Sequence, residues 1–426
     1  MTSDPRNPLE CVRNAIEGAA RALPGNDPRA FVFLENRSDR RMTLTSSGLR
    51  DLVATRTYGT TITGRRSVHL TDPDFIGPLR VGGDPEHDDW VAGLEGLIVD
   101  AADRVLAGLR HPIWTARLVS FHQEIWVGSL QRNFGHDIRR GSRLELRVQM
   151  GDETAGSGNV DLILRPGEPP PVEKAFKDAC SRAEARGRTT GTPKLGETIA
   201  VFAPGAAGIV AHELIGHARE GDVVARHRTW LSDGTRLKGE RPVTVIDDPR
   251  RGRGAWTIDD EGVATSEVVL LDRGRAAGVL LDRSSAAALG MTATGHGRRS
   301  SYLEAVRPRM GCTYIARGGD EPIDILRDTR QGVLIRRLAG GHTDPLTGQA
   351  TFVVTDADRI EAGSVTHALD PFVIDVGGRA GWESIDRIGH DLAFDTCVGS
   401  CVRDGQPLAV SVGAPTIRIG VVAVRS

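Results

Sequence analysis

The fold is organised around the stretch Phe202-Ala203-Pro204-Gly205-Ala206-Ala207-Gly208-Ile209-Val210-Ala211-His212-Glu213-Leu214-Ile215-Gly216-His217-Ala218-Arg219-Glu220-Gly221-Asp222. Its small and apolar residues favour a buried helix over a solvated loop. Histidine and glutamate are costly to bury unless they find partners. The stretch therefore indicates either a functional site or two core histidines that are each hydrogen-bonded.

The spacing of the two histidines limits the geometry of such a site. His212 and His217 are five residues apart, and Glu213 directly follows the first. At roughly 100° per residue, a regular helix would turn the two rings about 140° away from each other. A local π-type widening would bring them together, and Gly216 makes such a distortion easier. If the histidines share one ion, the sequence predicts an irregular helix here.

Composition excludes several classes of function. The 426 residues include 54 basic and 56 acidic side chains, for a formal net charge of −2. This balance argues against a field that attracts nucleic acid or a membrane surface. Aromatic residues make up 4% of the chain, too few to favour base-stacking platforms.

Cysteine usage indicates the redox compartment. Five cysteines occur at irregular spacing, and no Cys-x-x-Cys is present: Cys11, Cys180, Cys312, Cys397 and Cys401. This pattern does not predict a disulfide framework. It indicates that the protein works in a reducing compartment. Residues 1–8 lack an apolar signal core, and no run reaches the length of a membrane span. We therefore expect a cytoplasmic protein.

Periodicity predicts an α+β fold in two domains. Residues 1–190 are expected to form an α+β domain with helices packed on a mostly antiparallel sheet. Residues 191–426 are expected to form a β-rich domain, with a large curved sheet or open barrel that carries the metal-binding helix. The boundary is placed in the Gly-, Thr- and Arg-rich segment Arg186 to Lys194.

Individual elements of the first half follow from apolar spacing. Amphipathic helices are predicted over Asp88 to Leu109 and Val172 to Ala185. Short strands are predicted where apolar and polar residues alternate. Four of them are Arg29 to Leu34, Arg41 to Thr45, Ala116 to Phe121 and Glu124 to Leu130.

Several segments of the second half, in order and spacing, resemble one family. They are His212-Glu213-Leu214-Ile215-Gly216-His217, Glu220-Gly221-Asp222, Ile258-Asp259-Asp260-Glu261-Gly262-Val263, Gly290-Met291-Thr292-Ala293-Thr294-Gly295, Gly297-Arg298-Arg299-Ser300-Ser301-Tyr302, Gly340-Gly341-His342-Thr343-Asp344, Gly399-Ser400-Cys401 and Val412-Gly413-Ala414-Pro415-Thr416. From about Gly191 to the C-terminus the chain resembles the TldD/PmbA family of bacterial metallopeptidases, on the TldD side that carries the metal. The first half resembles the family only in its α+β pattern and is shorter.

The resemblance implies a zinc site with one ion per catalytic subunit. Its protein ligands would be His212, His217 and Cys401, and Cys397 is the rival for the third position. The family context Cys-Gly-Lys-x-Gly-Gln is here Cys401-Val402-Arg403-Asp404-Gly405-Gln406, so Val402-Arg403 replaces Gly-Lys. Three such ligands leave a fourth position for water, whose pKa zinc lowers towards about 7. Glu213 would then act as the general base.

Substrate contacts are predicted at two glycine-rich segments. Gly341 and His342 would lie beside the substrate, and an extended peptide could pair with the Gly340-Gly341 segment as an added strand. Arg298 and Arg299 could hold a peptide carboxylate, or instead pair with Asp or Glu.

The function predicted is zinc-dependent hydrolysis of amide bonds in unfolded or modified small peptides, such as leader peptides of natural products. One alternative is an amidase that releases a small metabolite from an amino-acid or acyl cap. Another is a non-catalytic peptide-binding subunit. The resemblance implies either a TldE/PmbA-like partner or a homodimer, and neither nucleic acid nor membrane is an expected partner.

Overall fold

The structure is a computed structural model that describes residues 31–63, 68–70, 85–109, 112–129, 132–151, 156–165, 168–189, 191–194, 196–232, 234–394 and 399–425. Cys11 and Cys397 lie outside these residues, as does residue 190, where the predicted domain boundary falls. The division into 1–190 and 191–426 stays a prediction. Among the described residues, no helix is both long and apolar enough to cross a membrane.

In the part of the first half that the structure describes, two helices accompany one antiparallel sheet. Its elements are β1 (Phe31–Thr45), β2 (Gly48–Thr63), β3 (Val68–Leu70), α1 (Pro85–Leu106), β4 (Ile113–Ser129), β5 (Arg132–Gln149), β6 (Ser157–Leu164) and α2 (Val172–Arg186). The strand order is β3-β2-β1-β4-β5-β6, with every neighbouring pair antiparallel. Both predicted helices are present, and the predicted α+β class is confirmed.

Apolar side chains on one face of each helix hold these helices on the sheet. Leu94 and Ile98 of α1 and Phe176 of α2 are buried in one core with Leu118 and Leu144 of the sheet. Each fully buried Leu or Ile side chain contributes about 1.5–3 kcal/mol relative to an exposed one.

The strands of this sheet are longer than predicted. Arg29 to Leu34 and Arg41 to Thr45 were expected to be separate strands. Residues 29 and 30 lie outside the described residues, and the rest of both segments falls on β1, which runs unbroken from Phe31 to Thr45. Likewise, the described part of the two strands predicted between Ala116 and Leu130 belongs to the single strand β4, which ends at Ser129. The polar residues between them keep the backbone ladder, as in the pairing of Arg37 with Gln123. Apolar alternation misses such segments because the ladder needs only main-chain groups.

The second half holds seventeen of the described strands and seven short helical pieces. The strands are β7 (Gly196–Phe202), β8 (Val245–Asp247), β9 (Val268–Asp272), β10 (Arg275–Ala276), β11 (Gly297–Arg298), β12 (Arg307–Pro308), β13 (Cys312–Ile315), β14 (Gln331–Asp344), β15 (Gln349–Glu361), β16 (Ser364–Ala368), β17 (Phe372–Gly377), β18 (Ile385–Ile388), β19 (Ala393–Phe394), β20 (Ser400–Arg403), β21 (Gln406–Ala409), β22 (Ser411–Ala414) and β23 (Ile417–Arg425). The helical pieces are α3 (Gly208–Ala211), a π-helical turn (His212–Gly216), a 3₁₀ turn (His217–Arg219), α4 (Gly221–Arg226), α5 (Arg283–Leu289), α6 (Pro322–Arg327) and α7 (Gly378–Glu383).

Two larger sheets frame the second half. In one, strands pair in the order β14-β7-β23-β17-β15, and β15 pairs again with β14, so the pairings close into a ring. The other has the order β10-β9-β8-β13-β22-β19. The predicted large curved sheet is confirmed. Because β15 pairs with β14, each of the five strands in the ring has a paired neighbour on both sides.

The central segment, residues 208–219, lies between these two sheets. It contacts β14 and β15 of the ring and β9, β13 and β22 of the other sheet. Val210, Leu214 and Ile215 are fully buried in the core that both sheets share. This packing fixes the segment on both sides and positions the two histidines.

The two halves meet through buried charges as well as apolar contacts. We call Glu35, Arg139, Asp260, Arg298 and Arg299 the interface cluster; all five are at most 5% exposed. Arg139 donates to Asp260 over 2.5 Å, and the backbone N–H of Arg299 donates to the same carboxylate over 2.6 Å. Glu35 accepts from the backbone N–H of Tyr302 over 2.8 Å. The first sheet thus docks through its polar strand segments.

Candidate metal centre

The central segment widens at the position that the histidine spacing requires. Residues His212–Gly216 form a π-helical turn, which confirms the expected irregularity. The His212 and His217 rings have centroids 5.1 Å apart and are nearly perpendicular, at 85°. A Cβ on Gly216 would meet the Sδ of Met310 at 1.9 Å, so this position accepts only glycine without a shift of the core.

The third donor arrives on a hairpin from near the end of the chain. Cys401 lies on β20, which pairs with β21 through a turn at Asp404-Gly405. Both turn residues have positive φ, 49° and 77°, as expected for a two-residue Asp-Gly hairpin turn. The Sγ of Cys401 is 3.5 Å from the Nε2 of His217. The donor atoms of His212, His217 and Cys401 all lie within 4.8 Å of one another, and we call these three residues the donor cluster.

A layer of charged residues surrounds the donor cluster. The Nδ1 of His217 hydrogen-bonds the Oε2 of Glu220 over 2.9 Å, and Glu220 is fully buried. Arg403 donates to the same Oε2 over 2.9 Å and holds Asp222 with two further bonds of 2.9 and 2.7 Å. The bond from Nδ1 to Glu220 fixes the orientation of the His217 ring and directs its Nε2 at the Cys401 sulfur.

Electrostatics favour a thiolate in this centre. Burial raises the pKa of Cys401, but the charges and hydrogen bonds of His212 and His217 outweigh it and lower the pKa to about 4. Burial lowers the pKa of His217, but Glu220 and the Cys401 sulfur reverse this and raise it well above the ordinary value. The thiolate is the metal-binding form of cysteine.

A cavity of about 440 Å³ opens beside the donor cluster, lined by residues that include Glu213, Gly340, Gly341, His342 and Val402. The Oε2 of Glu213 is 3.8 Å from the Nε2 of His217. The structure therefore brings Glu213, Gly341 and His342 to the same space as the donors.

Arg298 and Arg299 lie elsewhere, in the interface cluster. Arg298 stacks over the Trp256 ring at 4.2 Å, and Arg299 stacks over Phe33 at 4.6 Å. Neither lines the cavity beside the donors. The alternative of pairing with a carboxylate fits this placement, because Arg298 lies 3.4 Å from Asp260.

The donor cluster fits a zinc ion on two observations. A nitrogen and a sulfur ligand of one tetrahedral zinc ion, with Zn–N about 2.0 Å and Zn–S about 2.3 Å, are separated by about 3.5 Å. The Sγ to Nε2 distance of 3.5 Å matches this spacing. In addition, the Nδ1 of His212 is buried, and no hydrogen-bond partner for it is found among the described residues.

Three residues of the centre were not predicted as site residues: Glu220, Asp222 and Arg403. Two signals in the sequence point to them. Glu220 is three residues after His217, which places the two on neighbouring positions of a helical turn. Arg403 is two residues after Cys401, which places both side chains on the same face of a strand.

Comparisons with known proteins give the family. The family model described as the PmbA/TldA metallopeptidase C-terminal domain matches residues 195–426. A metalloprotease TldD homolog of Buchnera aphidicola (subsp. Schizaphis graminum) is 30% identical over 81% of this chain and 73% of its own length. A zinc metalloprotease TldD homolog of Saccharolobus solfataricus is 29% identical over 54% of this chain and 51% of its own length.

A solved structure shows the same fold over nearly the whole chain. The crystal structure of TldE from Thermococcus kodakarensis superposes with a TM-score of 0.74 and covers 98% of this chain and 100% of its own, at 16% identity. The family match over the second half and the relative at 30% identity agree with the motifs on which the donor cluster is built. The chain belongs to the PmbA/TldD family of metallopeptidases.

Proposed function

We propose that this chain is a zinc-dependent metallopeptidase that hydrolyses amide bonds in unfolded or modified small peptides. One observation carries the proposal: His212, His217 and Cys401 converge beside a cavity that Glu213 also lines. The name of the Saccharolobus relative supports zinc as the metal. Imidazole nitrogens and cysteine thiolates are both ligands that catalytic zinc sites use, three at a time.

The proposed chemistry divides between the metal and Glu213. A zinc ion bound here would polarise the scissile carbonyl and make a water molecule acidic enough to lose a proton near neutral pH. Glu213 accepts that proton at its carboxylate, which is 3.8 Å from His217 and open to the cavity. It then donates the proton to the leaving amine, so no covalent intermediate with the protein is needed.

The cavity wall supports an extended peptide as substrate. On one edge β14 pairs with β15 as far as Asp344, whereas its pairing with β7 on the other edge covers only Val333 to Ile335. Past Ile335, no described strand pairs with that second edge, and Gly340 and His342 line the cavity there. We propose that a peptide pairs with this edge through main-chain hydrogen bonds.

The test of the catalytic proposal is Glu213→Gln in the full chain. Peptide turnover is expected to fall by about 10²- to 10⁴-fold, because the general base is removed. Zinc content should stay at one per chain, because Glu213 is not a proposed ligand. Wild-type protein without stoichiometric zinc, or full activity of Glu213→Gln, would contradict the proposal.

The peptide edge is best tested at Gly340. A Cβ on Gly341 would meet the Phe352 ring at 2.5 Å and the Cγ of Glu213 at 3.1 Å, so a substitution there disturbs packing as well. A Cβ on Gly340 meets nothing within 4 Å. Gly340→Val should therefore weaken turnover of peptides and leave turnover of small amides unchanged.

The amidase alternative is favoured by cavity size alone, since about 440 Å³ lies within the usual range for small-molecule pockets. A panel of peptides and small capped amides, assayed with wild-type protein, separates the two reactions. Turnover confined to small amides would favour the amidase. Binding of peptides without turnover of either class would favour the non-catalytic subunit.

We further propose that the chain works with a second subunit, either TldE/PmbA-like or a second copy, in maturation of peptides such as natural-product precursors. Leu49, Leu52 and Val53 on β2 are 48%, 61% and 41% exposed, which supports an apolar contact surface there. Co-expression with a TldE-like chain followed by size-exclusion chromatography with light scattering gives the stoichiometry. A monomer under all conditions would contradict this proposal.

A further inference from the structure

The hairpin that carries Cys401 also carries Arg403, whose positive charge lies beside the donor cluster. Cys401 and Arg403 are two residues apart on β20, so their side chains project from the same face of the strand. The sulfur meets the histidines, and the guanidinium meets Glu220 and Asp222 just beyond them in the chain. Both side chains therefore bind the hairpin to one short stretch, residues 212–222.

Arg403 is connected to the proposed ligand His217 through a single oxygen atom of Glu220. The Oε2 of Glu220 accepts from His217 Nδ1 and from Arg403, each over 2.9 Å. Arg403 in turn is fixed by a two-pronged contact with Asp222, at 2.9 and 2.7 Å. The planar guanidinium thus sets the direction of the carboxylate that orients the His217 ring.

We propose that Arg403 is a positioning residue that sets the affinity of this centre for zinc. It acts in two ways, by orienting Glu220 against His217 and by holding the Cys401 hairpin at the distance at which all three donors meet. The inference rests on the proposed zinc site, and it adds a determinant that lies outside the three ligands. A lysine here could supply the charge, but it could not make the two parallel hydrogen bonds that the guanidinium makes to Asp222.

The test measures zinc affinity of the full-length chain by competition with a chromophoric chelator, together with the melting temperature of the metal-free protein. Arg403→Gln is expected to weaken zinc binding by about 10- to 100-fold, the usual effect of losing a group that orients a ligand. Arg403→Lys should recover part of that loss. At saturating zinc, kcat should return close to the wild-type value.

A matched control separates positioning from general stabilisation. Arg418 holds Asp386 with two bonds of 2.9 and 2.7 Å and is about as buried as Arg403, but Asp386 has no contact with the donors. Arg418→Gln is expected to lower the melting temperature and leave zinc affinity unchanged. If Arg403→Gln does not fold, Asp222→Asn removes one prong of the fork and should weaken zinc binding by a smaller factor.

The outcomes distinguish this inference from the proposed function. Wild-type protein that binds no zinc would overturn both. Wild-type protein that binds zinc, with Arg403→Gln or Asp222→Asn binding it equally well, would overturn the positioning role alone. A loss of affinity in Arg418→Gln as large as in Arg403→Gln would also overturn it, because the effect would then be one of stability.

Discussion

The donor cluster and the interface cluster are both buried and both polar, yet their side chains differ in the partners that they find. In the interface cluster, charges meet charges: Asp260 faces Arg139, Arg298 and the backbone N–H of Arg299. In the donor cluster, three groups that can each bind a metal ion converge beside a cavity, namely the Cys401 sulfur and the imidazoles of His212 and His217, and the buried Nδ1 of His212 has no partner among the described residues.

This difference shows which kind of burial indicates a functional site. Buried charge that finds an opposite charge holds the two halves of the chain together. A thiolate and two imidazoles that converge at the wall of a cavity form a site suited to a metal cation, since a buried charge is stable only when it is compensated. Variants in the two clusters should therefore change different quantities.

The largest effect is expected from Asp260→Ala, which leaves the buried guanidinium of Arg139 without its closest carboxylate. Breaking a buried pair from one side costs about 3–5 kcal/mol, and urea unfolding of the metal-free protein measures it. Asp328→Ala, which removes an exposed partner of Arg387, is the control and should cost at most about 1 kcal/mol. Equal losses in the two variants would contradict the structural role assigned to the interface cluster.

Cys401→Ser removes a proposed ligand and should weaken zinc binding by at least about 100-fold, beyond the 10- to 100-fold that loss of a ligand-orienting group causes. Zinc at 100 times its Kd stabilises the wild-type fold by about 2.7 kcal/mol, and this shift should nearly vanish in the variant. Cys180→Ser, on α2, is the matched control and should keep the full shift. If Cys397→Ser removed the shift and Cys401→Ser did not, Cys397 would be the third ligand.

The sequence predicts the histidine part of the candidate metal centre because the geometry of that part is local. The five-residue spacing of His212 and His217 implied a widened helical turn, and the structure has one at that position. The meeting of Cys401 with residues 184 positions earlier in the chain depends on the fold of both large sheets. Only the family resemblance suggested it, and local spacing carries no such information.

Two features of the chain were predicted only in part, for physical reasons. The polar middle of β1 and β4 breaks the apolar alternation because those segments face the second half rather than the helices. For Arg298 and Arg299 the sequence left two roles open, holding a substrate carboxylate or pairing with Asp or Glu. The chain buries them against Trp256 and Phe33, with Arg298 beside Asp260. A pattern of charges along the sequence does not show whether they meet a ligand or the other half of the molecule.

Arg298→Ala sharpens that distinction. Burial and the charge of Arg139 lower the pKa of Arg298 to about 9, so this guanidinium is less well compensated than Asp260, and its loss should cost less. We expect a destabilisation of about 2 kcal/mol from the lost stacking on Trp256, with an unchanged KM for peptides. His342→Ala, at the cavity, should raise KM and leave stability unchanged. A raised KM in Arg298→Ala at full stability would restore the substrate role.

The last effect is a pH dependence next to the interface cluster, which is small per pH unit. Burial and the nearby charge of Asp259 raise the pKa of Glu261 to about 8 in the folded chain, well above the usual value of a glutamate. Between about pH 4.5 and 8 the folded state therefore holds a proton that the unfolded state has lost. The stability that this carboxyl contributes is complete below the unfolded pKa and is lost as the pH rises through 8, by up to about 1.4 kcal/mol per pH unit.

Glu261→Gln cannot release that proton, so urea unfolding between pH 5 and 8 should show a flatter pH dependence than in wild-type protein. Glu321→Gln, at an exposed position, is the control and should keep the wild-type slope. All measurements use metal-free protein, so that the donor cluster titrates equally in each variant and cancels from the difference. Parallel slopes for wild type and Glu261→Gln would mean that Glu261 is ionised in the fold, and the buried carboxyls here would then be compensated as fully as Asp260.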